Sequence, residues 1–137
     1  MRLVFYKPEQ IPEIWRYAEP LFQRVVDKAV HGEFDIVDLY RMARDGTVVV
    51  CLVWDGDDVV MATAIEFVYY PSATAANVMA MGGRDLKKVM DAFFEPVKQF
   101  CREAGADWIE CHVSRGMERI HKRFGYRTVY RTMRMEL

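Results

Sequence analysis

"TAANVMAMGGRDLKKVMDAFFEPVKQFCREAGADWIECHV", residues 74–113, decides the fold class. Thr74 to Met81 reads as a strand, and Gly82-Gly83 follow. Leu86, Val89, Met90, Phe93, Val97, Phe100, Cys101 and Ala104 then recur at helical spacing, a single apolar stripe. Pro96 lies within that stripe and predicts a bend and one lost backbone hydrogen bond. "DWIECHV", residues 107–113, returns the chain to a strand. Strand, long helix, strand is the signature of a layered α/β arrangement.

Working outward, "RLVFY" (2–6) is a short strand stopped by Pro8, and Pro12 suits the first turn of a helix. Ile14, Ala18, Leu21, Phe22, Val25 and Ala29 keep helical spacing, with Pro20 predicted to kink or split the helix and Gly32 to end it. A second helix starts after Asp35, carries Ile36, Leu39, Tyr40 and Ala43, and closes at Asp45-Gly46. "TVVVCLVWDGDDVVMATAIEFVYY" (47–70) is a hairpin around "DGDD". Its first run is apolar on both faces, so that strand is expected to be covered on both sides. After residue 113, a short helix over about Arg115 to Phe124 and one or two strands within "YRTVYRTMRMEL" (126–137) complete the chain. The order β-α-α-β-β-β-α-β-α-β(-β) gives an α/β fold with a mixed central sheet and helices on both faces, in one domain spanning 1–137.

The formal net charge of −1 argues against a general nucleic-acid binder. Charge is uneven, however: Arg115, Arg119, Lys122, Arg123, Arg127, Arg131 and Arg134 face only Glu118 between residues 115 and 134. That basic end suits an anionic ligand, or is simply a solvated helix face and edge strand. Cys51, Cys101 and Cys111 each sit in an apolar segment and read as reduced core residues. No Cys or His pair has zinc spacing, and no metal is expected. The N-terminus lacks a signal-peptide pattern and no segment approaches a membrane span, so a cytoplasmic location without membrane contact is expected.

The glycines at 82 and 83 leave backbone N–H groups uncovered before a helix N-terminus, an anion cradle suited to a pyrophosphate, to which Arg84 can add a charge-assisted bond. The alternative is a tight strand-to-helix turn that needs glycine φ angles.

The chain resembles the GNAT superfamily of N-acyltransferases over nearly all its length. The resemblance rests on the element order, on "MAMGGRDL" (79–86) feeding a long helix, and on "RIHKRFGYR" (119–127), similar to the family's late helix and Lys-x-Gly-Phe ending. It implies a central sheet with acetyl-CoA or another acyl-CoA as co-substrate, held around Ala80, Met81, Gly82, Gly83, Arg84 and Asp85. It implies an amine substrate, small molecule or protein, bound near the helices after the first strand. His121 stands four residues before Gly125, where many relatives place a tyrosine that protonates the departing thiolate; an imidazole can do this too, and a surface histidine is the alternative. Glu110, with His112 on the same strand face, and Glu66 are the candidates for general base, each with the alternative of a strand glutamate paired to an arginine. The strand 74–81, where the family often carries its glutamate, has no acid. The chain also looks similar to small GNAT-like proteins of short-tailed bacteriophages, some of them virion components. On that reading Tyr69, Tyr70, Tyr126 and Tyr130 belong to a protein interface with virion partners.

Overall fold

The computed structural model describes residues 1–137. Five strands, β1 (Arg2–Tyr6), β2 (Val48–Asp55), β3 (Asp58–Tyr69), β4 (Thr74–Gly83) and β5 (Trp108–Cys111), form one sheet in chain order. The first four are antiparallel neighbours, and β5 lies parallel to β4. Helices α1 (Ile11–Ala29) and α2 (Ile36–Asp45) pack on one face; α3 (Leu86–Glu103) crosses the other and is joined there by α4 (Arg115–Arg123). This is the expected mixed α/β sheet with helices on both faces.

Local chemistry sets the element ends. Gly56, at φ 62°, and Asp57 make the two-residue turn between β2 and β3. Asp35 caps α2, its Oδ1 accepting from the Asp38 N–H at 2.8 Å, and Gly46 closes the helix at φ 79°. The expected split at Pro20 does not occur. Pro20 lies exposed on α1, where the carbonyl left without a donor can meet water, and the helix runs unbroken to Ala29.

On the first face, Trp15, Ala18 and Phe22 of α1 and Leu39 of α2 pack on Val50, Leu52, Ala62, Ala64 and Ala80. On the second, Val89, Val97 and Cys101 of α3 cover Val53, Met61, Ile65 and Ala76. β2 is therefore covered on both sides, as its double-sided apolar run requires. Burial pushes the Cys51 thiol up to about 12.

The pairing of β3 with β4 shifts once. Ala64 stands opposite Ala80 and Ile65 opposite Val78, so Met79 is an extra residue on β4. Met79 and Ala80 consequently both pack on the α1 side.

The closing strands expected within residues 126–137 are absent. Gly125, at φ 94°, turns the chain after α4, and Phe124 and Tyr126 both pack against Phe94, at ring-centroid distances of 5.5 and 5.9 Å. Beyond them the backbone forms no ladder, and β5 keeps one edge unpaired. Strand-forming residues without a ladder partner do not make a strand.

Candidate active site

β4 pairs with β5 only from Ala75 to Val78, and then continues through Gly83 with no partner on that side. The Arg84 N–H donates to the Val60 carbonyl at 3.0 Å, which fixes the phase of the antiparallel ladder. By alternation, the N–H groups of Met81 and Gly83 point away from β3 and into the gap beyond the end of β5. The sheet is thus open on the β5 side of β4 and lined there by unpaired strand donors.

The glycines serve packing. A Cβ on Gly82 would lie 2.6 Å from the Leu21 carbonyl oxygen, and one on Gly83 would lie 2.2 Å from that of Val60. Neither glycine has a positive φ; the left-handed residue of this turn is Asp85, at φ 52°. The alternative based on glycine φ angles is thereby corrected. Asp85 makes no side-chain cap, and the first turn of α3 holds no acid, so the N–H groups of Leu86, Lys87 and Lys88 lack a protein cap. Asp85, Leu86, Lys87, Lys88 and Asp91 line an open cleft against Ile120 of α4. Arg84 reaches Asp58 at 3.8 Å, an exposed and therefore weak pair from which an anion can draw it. Ala80 is buried beneath α1 and its N–H, in the same phase as that of Arg84, points to β3, so it offers no donor to the gap.

His121 is buried, not a surface residue. Its Nδ1 lies 2.8 Å from the Met117 carbonyl, which can only accept, so the proton sits on Nδ1 and the neutral ring keeps its lone pair on Nε2. Tyr126 stands edge-on to it at 4.9 Å, with its own hydroxyl pushed up by burial. His121 helps line a small, partly open cavity of about 30 Å³ with Thr63, Val78, Met81, Phe94 and Ile109. The Thr63 hydroxyl there has no partner.

On the opposite face, pairing aligns Glu66 with Asn77 and Asn77 with Glu110. Asn77 Nδ2 donates to Glu66 Oε1 at 2.8 Å. Glu110 accepts from the Tyr70 hydroxyl at 2.8 Å and from Trp108 Nε1 at 3.1 Å, and the bond to Glu110 raises the Tyr70 hydroxyl. Neither glutamate is paired to an arginine. His112 falls beyond β5 and is exposed. Glu66 and Glu110 therefore share one face, while His121 stands on the other, across the gap.

Sequence reasoning missed Asn77, the neutral centre of the row, along with Trp108 and the lysines at 87 and 88. Alternation along β3, β4 and β5 carries the signal for Asn77, but only once the register is known. The lysines were legible as the first exposed turn of the α3 stripe.

Solved structures share this architecture. A protein described as a predicted acetyltransferase from Clostridium acetobutylicum, solved with acetyl-CoA, superposes with a TM-score of 0.71 at 11% identity, covering 98% of this chain and 95% of its own. An aminoglycoside acetyltransferase from an uncultured soil metagenomic sample, in complex with sisomicin, gives 0.64 at 12%, covering 98% and 96%. The ribosomal-protein-alanine N-acetyltransferase of Brucella melitensis gives 0.69 at 11%, covering all of both chains. No family model matches the sequence, and no curated protein matches it. The fold is that of the GNAT acetyltransferases.

Proposed function

We propose that this chain is an N-acyltransferase that moves an acyl group from acyl-CoA to an amine. The observation that carries the reading is the gap between β4 and β5, with unpaired strand N–H groups along it, carboxylates on one face and a buried histidine on the other.

The uncapped N–H groups at the start of α3, with Lys87, Lys88 and Arg84, fit the phosphates of such a co-substrate, although Asp85 and Asp91 oppose part of that charge. The amine enters from the α1–α2 face. Glu110, both oxygens already held by Tyr70 and Trp108, draws the cationic amine in. Glu66 Oε2 carries no protein hydrogen bond and takes the proton, directly or through a water, so that the nitrogen attacks as a neutral nucleophile. The Met81 and Gly83 N–H groups are placed to hold the oxyanion of the tetrahedral intermediate. As the carbon–sulfur bond breaks, His121 Nε2, when protonated, gives its proton to the thiolate.

The test is calorimetric titration of the protein with acetyl-CoA, followed by thiol release in the presence of a panel of amines. Saturable binding with turnover supports the assignment. No binding of acetyl-CoA or longer acyl-CoA would leave a protein that uses this fold for interaction alone.

A further inference from the structure

The cavity beside His121 brings together two buried polar groups that no other protein group satisfies. Thr63 lies between Met61 and Ile65 on the α3 face of β3, is 3% exposed, and its Oγ1 has no hydrogen-bond partner. Across the β2–β3 register it faces Cys51, whose thiol is a weak acceptor. His121 is 5% exposed. Its Nδ1 proton is committed to the Met117 carbonyl of its own helix, which leaves the Nε2 lone pair without a protein donor. A donor and an acceptor buried without partners each cost about as much as a lost hydrogen bond.

The rest of the lining, with Val78, Met81, Phe94 and Ile109, is aliphatic and aromatic. The cavity of about 30 Å³ admits a water molecule, which needs roughly 10–15 Å³ and at least two polar partners. It also adjoins the gap, since Thr63 stands directly opposite Met81. We infer that a water molecule is bound here as part of the fold, accepting from the Thr63 hydroxyl and donating to His121 Nε2, and that Thr63 is thereby the positioning residue for the imidazole. The ring is then held at both nitrogens, by α4 through Met117 and by β3 through the water. It cannot flip or change tautomer without breaking one of these bonds. The water site stands independently of the proposed activity; its effect on turnover rests on the role given there to His121.

NMR at a pH where the ring is neutral tests the site. In the wild type, a long-lived water should give nuclear Overhauser effects to the ε-methyls of Met81 and Met90, which both line the cavity. Long-range proton–nitrogen correlations should show His121 protonated on Nδ1, with its Nε2 signal displaced by an accepted hydrogen bond. Thr63→Val keeps the branched shape that suits a strand and removes only the hydroxyl. The water effects should vanish and the Nε2 signal should move to that of a free lone pair, with backbone amide signals away from the cavity unchanged. Thr63→Ser should restore both. No water contact at the methyls of the wild type, or an Nε2 signal that Thr63→Val leaves in place, would overturn the inference. In kinetics, Thr63→Val should lower kcat at constant KM for acetyl-CoA, and Thr63→Ser should recover it. Full kcat in a valine variant that has lost its water would overturn the positioning role. Absence of turnover in the wild type would instead sink the proposed activity, and the spectra would still decide the water site.

Discussion

Asn77 donates its side-chain amide to Glu66 at 2.8 Å, and its own Oδ1 is buried with no partner. A neutral amide therefore occupies the middle of a row whose two flanking members are acids. Asn77 orients Glu66 through one oxygen and leaves the other free.

Glu66→Gln keeps that geometry, because the glutamine carbonyl still accepts from Asn77, but removes the proton acceptor. Turnover should fall about 10²–10⁴-fold with a small change in KM. Steady-state kinetics check this; unaltered turnover would exclude Glu66 as the base.

His121→Phe places a ring of similar width in an apolar cavity, so stability and acyl-CoA affinity should hold while turnover falls about 10²-fold. His121→Tyr should restore part of the rate, since a phenol can also donate. Wild-type turnover in the phenylalanine variant would remove the imidazole from the reaction.

Gly82→Ala should destabilise the fold by roughly 1–3 kcal/mol, because the new methyl meets the Leu21 backbone at 2.6 Å and Val25 at 2.8 Å. Urea unfolding should show a lower midpoint at unchanged slope. Lys88→Ala, in the open cleft, should leave the midpoint alone and weaken acyl-CoA binding instead. The pair separates glycine as a packing requirement from the loop as an anion site. Gly83→Val would confound the two.

Glu33 titrates below its ordinary 4.5, chiefly because the His31 N–H donates to its carboxylate and secondarily through Arg134. A depressed carboxylate favours the folded contact above the ordinary value and loses it as pH falls through the lower, folded one. The Arg134 clasp should therefore persist at neutral pH and release only below about 4.5. Carboxyl NMR shifts of Glu33, compared with those of Arg134→Gln, measure it. An unshifted Glu33 in the wild type would mean that the clasp is not populated.

The stripe along α3 was legible because it repeats a period that only a helix satisfies, and the run over Val48–Trp54 because it is short, rich in β-branched residues and closed by a turn cluster. Residues 126–137 misled for a related reason: their β-forming side chains describe a strand, but a strand also needs an edge, and sequence does not say whose. The glycines were read as an anion cradle or, alternatively, through local φ, and neither reading contained the close contacts with Leu21 and Val60, distant in sequence, that exclude a side chain there. His121 was placed at the right step of its helix; its burial followed from Tyr126 folding back across it, which no helical period reveals.

Met79 acts as a phase switch. Before it, the odd-numbered residues of β4 look toward α1; after it, the even-numbered ones do, and the direction of every N–H reverses with them. Deleting this one residue would restore plain alternation from Val78 to Ala80 and leave both halves as they stand, with Ala80 and Gly82 beneath α1 and the Met81 and Gly83 donors in the gap. A one-residue deletion after it is different: losing Met81 would turn Gly82 out from beneath α1 and return the Gly83 donor to the β3 ladder.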